Sequence, residues 1–130
     1  MENCIFCKFI KGEIPCEKVY ESKTALAFLD INPINPGHTL VIPKKHVDYL
    51  FDLDDKDYKD LFLEAKKVAK AIKSALGPKR VGVAVEGFGV PHAHIHLVPI
   101  NKGYELDPNR AKPMGKEELK KIGEKIRKGF

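Results

Sequence analysis

"VPHAHIHLVP", Val90 to Pro99, sets three of the chain's five histidines, His92, His94 and His96, at alternate positions of one short apolar run. Successive side chains of a β-strand point to opposite faces, so an extended run puts the three imidazoles in one row and Ala93, Ile95 and Leu97 on the other face. A lone histidine on a strand is ordinarily a hydrogen-bonded structural residue. Three in a row occupy places where a buried large apolar side chain would contribute about 1.5–3 kcal/mol each. The pattern points to rings that are used, whether to attack phosphorus, bind a metal or move protons, since an ordinary pKa of about 6.5 leaves much of the imidazole neutral at cellular pH. Neither carboxylates nor a helical His-Glu-x-x-His accompany the run, so covalent phosphoryl or nucleotidyl transfer is open.

The segments around the run give the architecture. "VGVAVEG" reads as a strand joined to the histidine strand by the loop "EGFGVP". Upstream, "KVYES" and "TALAFLDI" form a hairpin of β-formers, "NPINPGH" is a loop by its prolines and glycine, and "HTLVIP" is a short strand ended by Pro43. In "DLDDKDYKDLFLEAKKVAKAIKSALGPK", Leu61, Phe62, Ala65, Val68, Ala69, Ile72 and Leu76 recur at helical steps, with Asp54 or Asp55 to cap the start and Gly77-Pro78 to stop it. "CIFCKFIKGEIP" predicts a brief helix stopped at Gly12 and Pro15, and "KEELKKIGEKIRK" a C-terminal helix with Leu119, Ile122 and Ile126 on one face despite Gly123. Hairpin strands with helices set apart predict an α+β fold on a mainly antiparallel sheet of about five strands.

At 130 residues the chain fits a single domain, residues 1–130, and 43% hydrophobic with 32% charged residues is the balance of a soluble globular protein. The net charge of +5 permits an anionic ligand. Its lysines lie mostly on the predicted helices as solvated faces, without the aromatic interleaving of a nucleic-acid surface. The N-terminus has no long apolar core, so neither a secretion signal nor a membrane span is expected, and the cytoplasm is the expected compartment. Cys4, Cys7 and Cys16 should then stay reduced.

Cys4-x-x-Cys7 is a separate constellation. Two thiolates at this spacing can hold one Zn²⁺, but a structural site wants four ligands. The spacing alone does not choose among five histidines. The alternative is a reduced, unmetallated pair packed in the first helix; a thioredoxin-type site would want a βαβ setting that is missing.

His92-Ala93-His94-Ile95-His96-Leu97-Val98 resembles the histidine triad motif, His-φ-His-φ-His-φ-φ with φ apolar, of the HIT superfamily. The likeness continues through "CIFCKFIKGEIPCEKVYES" and "ALAFLDINPINPGHTLVIPKKH" and the helix that follows, nearly the whole chain. It implies the HIT fold, with a long central helix and a C-terminal helix, as a homodimer, and the activity of the Hint-like branch: hydrolysis or nucleotidyl transfer on nucleoside 5′-phosphoramidates or adenylates. By position, His94 matches the family nucleophile that forms a nucleotidyl-histidine, His96 the residue beside the leaving group, and His92 one that orients the cluster. No metal is implied for the chemical step. Zinc-containing members similar to this chain imply a structural zinc on Cys4, Cys7, His46 and His92. Asp30 matches the acid that binds the ribose hydroxyls, although a cap on the Asn32-Pro33 turn is an equal reading. Phe6, Phe28 and Ile31, with Ile5 and Phe9 as further candidates, match the apolar wall around a purine base; as core side chains they need no ligand. Cys16 reads as an ordinary residue, and His38 has no role beyond the entry to its strand.

One departure stands out. Many relatives carry a longer loop before the triad with a Gln-Ser or Gln-Thr pair that holds the phosphate, where this chain has "EGFGVP" and offers the backbone N–H groups of Gly89 and Val90. Two other readings follow: a purine mononucleotide-binding protein with little turnover, or a dinucleoside polyphosphate hydrolase. A third, in which the histidines hold a catalytic metal, predicts activity that chelation abolishes.

Overall fold

The computed structural model describes residues 3–130. Its elements follow the order α1 (Ile5–Lys11), β1 (Lys18–Glu21), β2 (Ala25–Leu29), β3 (Thr39–Pro43), α2 (Asp55–Leu76), β4 (Arg80–Ala84), β5 (Ile95–Ile100) and α3 (Lys116–Lys128). The five strands form one sheet, ordered β1-β2-β3-β5-β4, and every pairing is antiparallel.

Both faces of the sheet are covered in its middle, which is why β2 and β3 are buried along their whole length and read as continuous apolar runs instead of alternations. On one face Ala25, Ala27, Leu29, Val41, Ile95 and Leu97 pack against Leu61, Ala65, Val68 and Ile72 of α2 and Leu119 and Ile126 of α3. On the other, Leu26, Phe28, Leu40 and Ile42 pack against Cys4, Phe6 and Cys7 at α1. The central helix starts where Asp54 accepts the Asp57 N–H at 2.8 Å and ends at the left-handed Gly77. Its inner face includes Ala71, which the periodicity passed over, while Phe62, Ala69 and Leu76 are only partly buried. Gly123 interrupts α3 for a packing reason: a Cβ there would come within 2.6 Å of the Glu17 carboxylate.

The histidine run differs from its predicted form. Pairing of β3 with β5 stops at Val41 opposite Ile95, so His92 and His94 precede the ladder and only His96 lies in the strand. The Ala93 N–H bonds the Val47 carbonyl (2.7 Å), drawing the chain toward the segment that follows β3. The side-chain alternation survives this. Phe6 touches the His92 and His94 rings, at 6.0 and 5.3 Å between centroids, and His94 and His96 lie 5.0 Å apart. The strand "VGVAVEG" likewise ends early, at Ala84.

Candidate active site and metal centre

The three triad histidines serve two sites. His92 is fully buried, and its Nε2 lies 2.8 Å from the Pro43 carbonyl, which can only accept. The ring proton therefore sits on Nε2, and Nδ1 presents a lone pair. That lone pair faces Cys4 Sγ at 3.4 Å, Cys7 Sγ at 3.5 Å and His46 Nδ1 at 3.2 Å, and His46 Nδ1 is 3.1 Å from Cys7 Sγ. All four ligand atoms fall within 4.8 Å of one another. A tetrahedral Zn²⁺ with ordinary bond lengths separates S and N ligands by about 3.5 Å and two N ligands by about 3.3 Å. The residues fit such an ion, and the Pro43 carbonyl supplies the outer partner that a metal-bound imidazole usually has. Burial, and then the neighbouring Cys4, push the Cys7 thiol upward, a cost that a cation among the sulfurs would reverse. Cys4 also caps α1, its Sγ accepting the Cys7 N–H at 3.4 Å, so one turn of chain fixes both sulfurs.

His94 is arranged the opposite way. Its Nδ1 donates to the His92 carbonyl at 2.7 Å, which places the lone pair of the neutral ring on Nε2. His94 and His96 both line a cavity of about 310 Å³, the lower end of the range for small-molecule sites. Phe6, Phe28, Asp30, Ile31, Gly89 and Val90 line the same cavity, as do Ile5 and Phe9. Phe6, Phe9 and Phe28 meet ring to ring at 5.0–5.9 Å, making an aromatic wall for a flat ligand. Pro15, Cys16, Glu17, Leu29, Leu40 and Phe88 complete the lining, Phe88 from the loop before the triad; burial pushes the Cys16 thiol up to about 11, which makes it an inert wall group.

Asp30 caps the turn, as one of its readings expects, and also lines the cavity. Oδ1 caps the following turn by accepting the Asn32 N–H (2.8 Å), while Oδ2 stands 3.7 Å from His38 Nε2. His38, which the sequence left without a role, is bonded to His96. Its Nδ1 accepts the Ile34 N–H at 3.0 Å, so its proton lies on Nε2, and Nε2 donates to His96 Nδ1 at 2.9 Å. His96 consequently carries its proton on Nε2. Burial, followed by His38 and His94, holds His96 down to about 4, so it is a neutral donor at cellular pH. Burial also lowers His38, against the opposing pull of Asp30. The turn that delivers His38 requires Gly37, whose φ of +96° favours glycine and whose missing Cβ would lie 2.4 Å from Leu76 Cδ1. The His94 and His96 rings, 5.0 Å apart between centroids, thus meet at an aromatic cavity with a carboxylate.

The HIT domain family matches residues 11–103. The chain belongs to the HIT family. It is 42% identical over 132 residues to the adenosine 5′-monophosphoramidase of Schizosaccharomyces pombe, covering 95% of this chain and 96% of that one. A Hit-like protein from Bartonella henselae shares the fold with a TM-score of 0.90 and 38% identity, covering 100% of this chain and 98% of that one. A zinc-bound histidine triad protein from Mycobacterium smegmatis superposes with a TM-score of 0.85 at 28% identity, covering 98% of this chain and 93% of that one. Among the described residues no helix is long and apolar enough to cross a membrane.

Proposed function

We propose that this HIT protein is a nucleotide hydrolase or nucleotidyl transferase that cleaves nucleoside 5′-phosphoramidates or adenylates through a covalent nucleotidyl-His94. The observation that carries the reading is the His94 ring, pinned through Nδ1 to the His92 carbonyl so that Nε2 keeps its lone pair beside the His96 N–H. His94 Nε2 attacks the α-phosphorus, the bond from phosphorus to the leaving nitrogen or oxygen breaks, and a His94–phosphorus bond forms. His96 Nε2–H donates to the leaving group or the adjacent phosphate oxygen as charge builds there. Water then attacks phosphorus, the His94–phosphorus bond breaks, and the lone pair returns to Nε2. One water is consumed: one of its protons replaces the proton taken up by the released amine or acid in the first step, and its remaining hydroxyl becomes part of the nucleoside monophosphate.

A purine base belongs between Phe6, Phe28 and Ile31, the ribose hydroxyls at Asp30, and the phosphate at the amides of Gly89 and Val90. Zinc on Cys4, Cys7, His46 and His92 has a structural part: it ties α1, which carries Phe6 and Phe9, to the triad. Residues 1–130 act as one domain in a two-fold homodimer in the cytoplasm; the dimer is supported by the outer edge of the sheet at β4, where Val83 and, just past the strand, Val85 are 52% and 38% exposed. The name of the Schizosaccharomyces pombe relative supports the substrate class.

The test is hydrolysis of adenosine 5′-phosphoramidate by the wild type and by His94→Ala, with AMP binding and zinc content measured on both. Turnover lost in a variant that still folds and binds AMP supports the reading, and capture of a nucleotidyl-protein adduct would sharpen it. If both proteins bind AMP and neither turns over, the mononucleotide-binding reading takes its place. The short loop, which lines the cavity through Phe88, Gly89 and Val90 without a hydroxyl side chain, favours that second reading.

A further inference from the structure

The segment joining β5 to α3 contains a buried anion. Glu105 is 8% exposed, and its Oε1 accepts the backbone N–H groups of Asn101 and Lys102. Its Oε2 faces Asn35 Nδ2 at 3.3 Å and Arg110 Nη1 at 3.4 Å. These donors, the two amides first, hold the carboxyl down to about 2, so it remains charged. Arg110 also donates to the Glu105 carbonyl at 3.2 Å and, through Nη2, to Asn35 Oδ1 at 3.0 Å. Asn35 is thus gripped at both ends of its amide, and Nδ2 bonds the Pro99 carbonyl as well, at 2.8 Å. Two main-chain bonds, Lys112 N–H to Pro33 and Met114 N–H to Ile31, fasten the same segment to the same turn.

That turn holds His38 by two contacts: the Asn35 carbonyl accepts the His38 N–H, and the Ile34 N–H donates to His38 Nδ1, both at 3.0 Å. The His38–His96 pair has two self-consistent proton patterns. In one, His38 Nε2–H donates to His96 Nδ1 and His96 turns an N–H to the cavity. In the other, His96 Nδ1–H donates to His38 Nε2, His38 Nδ1 carries a proton, and His96 turns a bare nitrogen to the cavity. The second sets two donors, Ile34 N–H and His38 Nδ1–H, against each other, so the placement of one backbone amide selects between them.

We propose that Asn35, Glu105 and Arg110 are positioning residues: by clamping the turn before His38 they fix its tautomer and so decide whether His96 offers the cavity a donor or an acceptor. None of the three touches substrate. The kinetic consequence rests on the hydrolase reading; the tautomers do not.

Proton–nitrogen NMR correlations of the histidine rings read the tautomers directly in the wild type, Asn35→Ala, Arg110→Ala and Arg110→Lys. The wild type should show His38 and His96 protonated at Nε2 alone. Both alanine variants should lose that single tautomer at His38 and His96 while the His92 and His94 signals stay in place, and Arg110→Lys, which keeps a cation beside Glu105 and Asn35, should restore part of it. Arg110 is partly exposed, so its variants keep the test open if Asn35→Ala fails to fold. A proton on His38 Nδ1 in the wild type, or wild-type tautomers in both alanine variants, overturns the proposal. Where adenosine 5′-phosphoramidate is turned over, kcat should fall about tenfold with KM within about twofold. A wild type without turnover refutes the hydrolase reading and leaves the NMR result to stand or fall by itself.

Discussion

His92 and His94 lie two residues apart, and each gives one ring proton to a main-chain carbonyl, yet they present opposite nitrogens to their surroundings. The Pro43 carbonyl takes the Nε2 proton of His92 and leaves Nδ1 facing two sulfurs and a second imidazole. The carbonyl of His92 takes the Nδ1 proton of His94 and leaves Nε2 without one. The choice of carbonyl sets the tautomer, and the tautomer sets which job the ring can do. Within one motif, the first histidine turns a ring nitrogen to the sulfurs and the next two line the aromatic cavity.

Substitutions can separate the two halves. The largest effect belongs to His94→Ala: kcat on adenosine 5′-phosphoramidate should fall about 1,000-fold or more, with zinc content and thermal midpoint close to wild type. A variant that loses zinc as well would show that the halves are not independent. His92→Ala should do the reverse, releasing zinc and costing about 3–5 kcal/mol in denaturant unfolding, because it removes one partner from a buried charged cluster. Gly37→Ala comes next. The residue at 37 must adopt a φ of +96° with its Cβ 2.4 Å from Leu76 Cδ1, so about 2–4 kcal/mol of stability should go, and the His38–His96 hydrogen bond with it.

A smaller test uses acid. His38 is held below its ordinary pKa and His96 down to about 4, so the unfolded chain binds more protons than the folded one below about 6.5, a window that for His96 extends to about 4. Their contribution to stability is complete above about 6.5 and is lost as pH falls through that window. Urea midpoints should therefore drop from pH 7 to pH 5, and the drop should shrink in His38→Ala. The smallest effect is expected for Asp54→Ala, remote from both halves: about 1 kcal/mol for the lost helix cap, with neither zinc nor turnover altered.

The sequence made the helices legible because periodicity and caps are local: Asp54, Gly77 and the apolar steps of α2 lie within one segment. The positions of the cavity residues followed from the family likeness, since the wall residues look like core in isolation. His38 stayed invisible because its partner His96 is 58 residues away. One signal existed. His38 lies two residues before Leu40, which is registered opposite His96, so both rings share a sheet face once the pairing is known. The Asn35–Glu105–Arg110 clamp spans a still longer separation between segments that read only as loops. The strand assignment for His92 and His94 failed for a related reason: alternation records side-chain facing, while the ladder ends where Ala93 bonds Val47.

Phe6 has a consequence in reciprocal thermodynamics. It sits between Cys4 and Cys7 in sequence and lies edge-on to both the His92 and His94 rings, so one side chain borders the cation cluster and the ligand cavity alike. Whatever factor a zinc ion would contribute to nucleotide affinity by holding α1 in place, bound nucleotide would return to zinc as the same factor in metal affinity. The supply of nucleotide would then help to set what fraction of the molecules holds its ion at a given free zinc concentration.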